Sequence, residues 1–213
     1  MEKKTRVILA LDVTSSEEAM RVVDAAKNYV DAVKTNWPLI LSAGPQIITE
    51  LSSVKPVICD LKIADIPNTN RLIVEQAMKR GASAVICHGF PGEDSVKSCV
   101  DAAGGSVFVV TEMSHPGGKQ FTAAVADKLA AIAVAVGARG IVAPATRADR
   151  IADLRRTVGN LEIISPGVGV QGGKASDALR AGADYIIVGR TIYQSGNPRD
   201  AARKIAEEAR SAI

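Results

Sequence analysis

The chain has 213 residues, 47% of them hydrophobic, which is enough for one domain with a sizeable core. Lys and Arg together number 26 against 23 Asp and Glu, aromatic residues make up only 3%, and no basic block stands out, so the composition argues against nucleic-acid binding. The longest apolar run, residues 129–138, is too short to cross a bilayer, and the N-terminus lacks a signal peptide. These features predict a cytoplasmic protein with a small-molecule partner and no nucleic-acid or membrane partner.

Short runs rich in β-branched residues follow one another along the chain and predict eight β-strands. They lie at residues 6–12, 31–35, 56–62, 83–89, 106–113, 140–145, 161–167 and 184–190. The segments between them have helical composition. Ser15 and Glu18 stand at capping-box spacing in the first, and Gly81 ends the helix that follows the third strand. Strand and helix therefore alternate throughout, and no linker or low-complexity tract divides the chain.

The predicted strands are continuously apolar rather than alternating, which is typical of a parallel sheet covered by helices. Eight strand–helix units in a chain of 213 residues favour the α/β class and a compact (β/α)8 TIM barrel. We therefore predict a single catalytic barrel domain that spans residues 1–213. An open, doubly wound sheet is the alternative architecture.

The cysteines carry no sign of metal or redox chemistry. Cys59, Cys87 and Cys99 are odd in number, form no C-x-x-C pair and lie in apolar segments. We predict that they are reduced thiols of the core.

The barrel predicts where a site would lie, because active sites of this fold form at the carboxyl ends of the strands. Polar residues collect at those ends in this chain. These residues close their strands: Asp12 the first, Lys34 the second, Asp60 and Lys62 the third, His88 the fourth, residues 111–114 the fifth and Arg190 the eighth. Each alone is explained by a solvated loop or a structural hydrogen bond, but their joint placement indicates a site.

Asp60 and Lys62 are two residues apart on a strand, so they share the face that Ile58 continues into the barrel. Buried charges are costly unless they are paired. We therefore predict a network of alternating charge that Lys34 and Asp65 complete. The alternative is a buried salt bridge that only fixes the register of the barrel.

Glycines cluster in the segments SPGVGVQGGK (165–174) and YIIVGRTIY (185–193). Loops after the seventh and eighth strands of this fold often bind phosphate through backbone N–H groups, and Arg190 can add a bidentate contact. A mobile surface loop is the alternative interpretation of the glycines.

The segment DLKIADIPNT (60–69) carries the D-x-K-x-x-D motif of orotidine 5′-monophosphate decarboxylase. The segments LALD, AVK, HGFPG, TEMSHPG, ISPGV, QGG and IIVGR-x-IY match that family in the same order over essentially the whole chain. The chain thus resembles the compact archaeal or bacterial form of the family. One departure is Asn36, which stands where the family commonly has glycine, two residues after Lys34.

This resemblance implies a homodimer that converts orotidine 5′-phosphate to uridine 5′-phosphate and CO2, the last step of de novo UMP biosynthesis, with no metal or organic cofactor. It also implies catalytic roles. Lys62 would protonate C6, Asp60 would face the substrate carboxylate, and Lys34 with Asp12 would hold the ribose hydroxyls. Asp65 and Thr69 would reach into the partner's site.

The remaining implied roles concern binding. Ser114 would contact the pyrimidine edge, Gln171, Gly189 and Arg190 would bind phosphate, and a loop from Pro166 to Gly173 would close as a lid. Ile66, Ile86 and Val142 would form an apolar pocket for the departing CO2.

Two other functions remain open at this point. Metal-dependent aldolases and decarboxylases of sugar phosphates share D-x-K-x-x-D but have an acidic residue where this chain has Lys34, because Mg²⁺ needs carboxylate ligands. A barrel that only binds a phosphorylated ligand is the second alternative, although it would not need Lys62 among buried carboxylates.

Overall fold

Eight parallel strands close into a barrel, in sequence order, within residues 2–212, the part of the chain that the computed structural model describes. They are β1 (Val7–Leu11), β2 (Ala32–Asn36), β3 (Val57–Ile63), β4 (Ala82–His88), β5 (Val107–Val110), β6 (Gly140–Val142), β7 (Glu162–Pro166) and β8 (Tyr185–Val188). Each strand pairs with the next, and β8 pairs with β1. The predicted (β/α)8 barrel is confirmed and the open sheet is wrong. Met1 and Ile213, the ends of the predicted domain, lie outside the described residues.

Helices follow the strands and cover the barrel. They are α1 (Ser16–Ala26), α2 (Trp37–Ala43), α3 (Ile47–Ser52), α4 (Pro67–Lys79), α5 (Glu93–Ala102), α6 (Thr122–Ala135), α7 (Ala148–Val158), α8 (Ala175–Arg180), α9 (Arg190–Tyr193) and α10 (Pro198–Ser211). Ser15 caps α1 as predicted, because its hydroxyl accepts from the Glu18 N–H at 3.3 Å. Gly81, with φ 93°, supplies the left-handed residue that follows α4. Within the described part of the chain, no helix combines the length and apolar character that a membrane crossing requires.

The core has two layers. Side chains such as Ile8, Ile58, Phe108 and Ile164 fill the barrel interior, while a larger apolar layer lies between the strands and the helices. The filled interior leaves space for polar side chains only at the ends of the barrel. The charged residues at the carboxyl ends therefore lie above an apolar floor.

The three cysteines are free and buried, which confirms the prediction of core thiols. Burial, with a smaller contribution from the negative charge of Asp60, raises the pKa of the Cys59 thiol to about 12. This thiol stays protonated at neutral pH and is a poor nucleophile.

Two strands end three residues earlier than the sequence predicts. β5 ends at Val110 instead of residue 113, and β6 ends at Val142 instead of residue 145. Beyond these points, polar groups bond across to other segments, since Thr111 Oγ1 donates to the Val142 carbonyl at 3.0 Å and the Met113 N–H donates to Thr122 Oγ1 at 3.2 Å. The residues released from the sheet form loops at the mouth of the barrel.

Candidate active site

The carboxyl end of β3 departs from a regular parallel ladder. Cys59 pairs with Val85 and Ile63 pairs with Cys87, so four steps along β3 correspond to two along β4. Lys62 lies in this irregular segment and has a left-handed backbone, with φ 49°. A bulge redirects side chains, and a strained backbone of this kind is typical of functional sites. The two-residue spacing of Asp60 and Lys62 predicts that they share a face of the strand, but it does not predict this bulge.

Asp60 lies between two ammonium groups. Its Oδ2 is 3.0 Å from Lys34 Nζ, and its Oδ1 is 2.6 Å from Lys62 Nζ. The side chains of Lys34 and Asp60 are each only 7% exposed, whereas Lys62 is 34% exposed. Asp12 extends the cluster, with its Oδ1 3.6 Å from Lys34 Nζ. The predicted network of alternating charge is therefore present within one chain, but without Asp65.

Pairing outweighs burial at both buried members of this cluster. Burial alone would raise the pKa of Asp60, but Lys34 and Lys62 together hold it below its ordinary value. Burial alone would lower the pKa of Lys34, but Asp60 and Asp12 hold it above its ordinary value. A carboxyl with a lowered pKa and an amine with a raised pKa both stay charged around neutral pH.

A cavity of about 230 Å³ opens above the cluster at the carboxyl ends of the strands. Four groups of residues line it: the polar residues Asp12, Lys34, Asn36, Asp60 and Lys62; the apolar floor of Ala10, Ile86, Val142 and Ile187; residues 112–114; and residues 166–168, 170–171 and 189–191. The cavity therefore brings together the predicted Ser114, Pro166, Gln171, Gly189 and Arg190 with the charge cluster.

The loops after β5, β7 and β8 meet across the cavity from the charge cluster. Ser114 Oγ donates to Gln171 Oε1 at 3.0 Å. The loop after β7 turns through Gly167 and Gly169, whose φ angles of 103° and 82° favour glycine. A Cβ on Gly169 would lie 2.3 Å from Thr191 Oγ1, so the loop after β7 is in close contact with α9 there. Gln171 and Arg190 themselves are exposed.

Asp65, Ile66 and Thr69 lie outside the cavity of their own chain, between the end of β3 and the first turn of α4. Asn70 fixes this segment, since its Oδ1 accepts from the Asp65 N–H and its Nδ2 donates to the Asp65 carbonyl, both at 3.0 Å. Ser95 Oγ donates to the same carbonyl at 2.9 Å. Ile66 is 66% exposed, so it does not join Ile86 and Val142 within one chain as expected. None of these three side chains lines the cavity that contains the charge cluster.

His88 takes part in packing. Its ring lies against Phe90, with the centroids 4.9 Å apart. Burial, and after it the positive charge of Lys62, lowers the pKa of His88, so the imidazole is neutral at pH 7.

Sequence reasoning missed an ion-pair network behind the loop after β5. Glu112 is 1% exposed and accepts from Arg147 Nε at 2.7 Å and from Arg150 Nε at 3.1 Å. Arg147 also donates to the Met113 carbonyl. Arginines near the start of α7 therefore hold the segment that leads to Ser114. The partners are 35 and 38 residues apart in sequence, and no local pattern marks such a pair.

The fold and the cavity define a class of protein, the (β/α)8-barrel enzymes with a charged site at the carboxyl ends of their strands. A family model described as "Orotidine 5′-phosphate decarboxylase / HUMPS family" matches residues 5–205. The chain belongs to the orotidine 5′-phosphate decarboxylase family, a family of carboxy-lyases.

Curated relatives and solved structures agree with this membership. The orotidine 5′-phosphate decarboxylase of Methanococcoides burtonii is 55% identical over 98% of this chain and 99% of its own length, and that of Thermococcus kodakarensis is 51% identical over 97% of each. A crystal structure of the enzyme from Methanocaldococcus jannaschii, in complex with the inhibitor BMP, superposes with a TM-score of 0.91 and 46% identity over 95% of this chain and 97% of the other.

Proposed function

We propose that the protein converts orotidine 5′-phosphate to uridine 5′-phosphate and CO2, the last step of de novo UMP biosynthesis. Family membership supports this reaction. The observation that carries it is the pairing of Asp60 with two ammonium groups at the wall of a cavity of about 230 Å³. A sheet end that served only structure would be filled with Val and Ile.

In our proposal, charges that are fixed in place before the reaction lower the activation free energy of decarboxylation. Breaking the bond from C6 to the carboxylate leaves an electron pair in the plane of the ring, where the π system cannot delocalise it. The Lys62 ammonium stabilises this charge and gives a proton to C6, and the neutral amine then regains a proton from water. Asp60 holds Lys62 in place and sets a negative charge near the substrate carboxylate, so that repulsion is relieved as CO2 leaves.

The other cavity residues bind the substrate in this proposal. Lys34 and Asp12 hold the ribose hydroxyls, and Ser114 contacts the pyrimidine edge. The phosphate contacts are Gln171, Gly189 and Arg190, the residues 166–173 close as a lid that includes Pro166, and Ile86 with Val142 receive the departing CO2. Binding energy from the phosphate drives the closure, because two charges alone do not supply a barrier reduction of up to about 20 kcal/mol.

A two-fold homodimer completes each site in this proposal. The segment that bears Asp65, Ile66 and Thr69 lies outside the cavity of its own chain. In a two-fold dimer the same patch of each subunit faces the other. Asp65 and Thr69 then reach the partner's substrate, and Ile66 joins the partner's apolar pocket. Trp37 and Leu72, which are 44% and 47% exposed, line one groove together with Leu61 of β3. Exposed apolar side chains grouped in this way support burial by a second copy. A cytoplasmic location remains a prediction from the sequence.

We also propose that catalysis needs no metal or organic cofactor. Both carboxylate oxygens of Asp60 are engaged by ammonium groups, and Lys34 occupies the position where the sugar-phosphate enzymes present a metal ligand. A divalent cation placed there would be repelled by two positive charges. The positive charges of Lys34 and Lys62 therefore favour the decarboxylase over the metal-dependent alternative.

The loss of ultraviolet absorbance on mixing purified, exhaustively chelated protein with orotidine 5′-phosphate tests the function. We expect absorbance to fall as CO2 is released, at the same rate with or without chelation. Activity that returns only with added magnesium would favour the sugar-phosphate enzymes. Tight binding of uridine 5′-phosphate without turnover would favour the barrel that only binds a phosphorylated ligand.

A further inference from the structure

Asn36 is the last residue of β2 and lies directly beside Asp60 in the register of β2 and β3. It also lines the cavity. Its backbone is extended, with φ −143° and ψ −175°, so any residue would fit there. It precedes α2 in the cap position, yet its side chain makes no capping hydrogen bond. Local structure therefore gives no reason for an asparagine at this point.

The Asn36 side chain bonds to Asp12 instead. Its Nδ2 donates to Asp12 Oδ1 at 2.7 Å, whereas Lys34 Nζ lies 3.6 Å from the same oxygen, which is beyond hydrogen-bond distance. Lys34 is closer to Asp60, at 3.0 Å. Asn36 thus provides the short contact that fixes the Asp12 carboxylate, which is 42% exposed at the cavity.

The orientation of the Asn36 amide is determined by this contact. Only the Nδ2 group can face a carboxylate, because Oδ1 is an acceptor. With Nδ2 turned to Asp12, Oδ1 is buried and has no hydrogen-bond partner among the described residues. An unsatisfied buried acceptor is destabilising, so its retention indicates that the contact with Asp12 serves the site rather than the fold.

We propose that Asn36 is a positioning residue that orients Asp12 toward the ribose of the substrate. Asn36 engages Oδ1, so Asp12 Oδ2 stays available to accept a hydrogen bond from a ribose hydroxyl. The neutral amide does this without drawing Lys34 away from Asp60. This inference rests on the proposed function, since it assumes a ribonucleotide in the cavity.

Calorimetric binding of uridine 5′-phosphate and of its 2′,3′-dideoxy analogue separates positioning from a structural effect. For Asn36→Ala we expect about tenfold weaker binding of the ribonucleotide, the value of one hydrogen bond to a charged group, and no more than about a twofold change for the analogue. The decarboxylation assay should show the loss mainly in KM. Asn160→Ala, a change at an exposed residue after α7, is the matched control and should leave both affinities unchanged.

A double-mutant cycle with Asp12→Ala provides the second readout. In that background, Asn36→Ala should cause no further loss, because the group that it positions is gone. Additive losses, or equal weakening of the ribonucleotide and the dideoxy analogue, would overturn the inference. If the wild-type protein neither binds uridine 5′-phosphate nor decarboxylates the substrate, the proposed function fails instead, so the two failures are distinguishable.

Discussion

The two sides of the cavity are built differently. On the side of β2 and β3, Lys34 and Asp60 are borne on strands, are 7% exposed and are held by ion pairs within one chain. On the side of β7 and β8, Gln171 is exposed on the loop after β7 and Arg190 is exposed at the start of α9. Gln171 is held by a single side-chain bond from Ser114. The first side is held by ion pairs without any ligand, and we propose that the second side closes on the substrate. A reaction that depends on fixed charge and on lid closure uses both.

Removing the Lys62 ammonium, on the side of β2 and β3, should have the largest effect. In the proposed mechanism Lys62 is both the proton donor and the main source of electrostatic stabilisation, so Lys62→Ala should lower kcat at least about a thousandfold. Binding of uridine 5′-phosphate should persist, because the phosphate loops are intact. Absorbance kinetics and calorimetry measure the two quantities. A variant that keeps a tenth of wild-type kcat would show that Lys62 is not the acid.

Subunit exchange tests whether the charge cluster on β2 and β3 needs Asp65 of the partner subunit for activity. Lys62→Ala and Asp65→Ala proteins should each be nearly inactive. Unfolding and refolding them together should give about half hybrid dimers, each with one site that collects both lesions and one intact site. About a quarter of wild-type activity should then return. No recovery, despite hybrids verified by a tag on one partner, would place Asp65 in its own subunit's site.

The same contrast between strands and loops explains how far the sequence could predict the structure. The barrel, its strand order and the meeting of Lys34 with Asp60 follow from apolar runs and from polar residues at strand ends. The bulge at Lys62 cannot be predicted in this way, because it depends on the register of β3 with β4. The exposure of Ile66 cannot be predicted either, because it depends on how Asn70 holds the neighbouring Asp65. The bonds of Glu112 join residues far apart in sequence, and only the closed barrel brings them together.

A smaller effect is expected at Glu112, which lies between the two sides of the cavity. Glu112→Ala should lower the free energy of unfolding by about 3 kcal/mol, because it leaves two partly buried arginines without their carboxylate. Urea denaturation measures this loss. Glu207→Ala, which removes the exposed partner of Arg203 on α10, is the matched control and should leave stability nearly unchanged. Equal effects of the two changes would show that the network does not brace the loop that leads to Ser114.

Arg190→Ala separates the two proposed roles, fixed charge on the side of β2 and β3 and phosphate binding on the side of β7 and β8. The measurement is kcat/KM of the wild-type and variant proteins on orotidine 5′-phosphate and on orotidine, which lacks the phosphate. We expect the value for the phosphorylated substrate to fall by several orders of magnitude and the value for orotidine to change by less than about twofold, because only the former uses phosphate binding to close the loops. Equal losses on both substrates would show that Arg190 does not act through the phosphate.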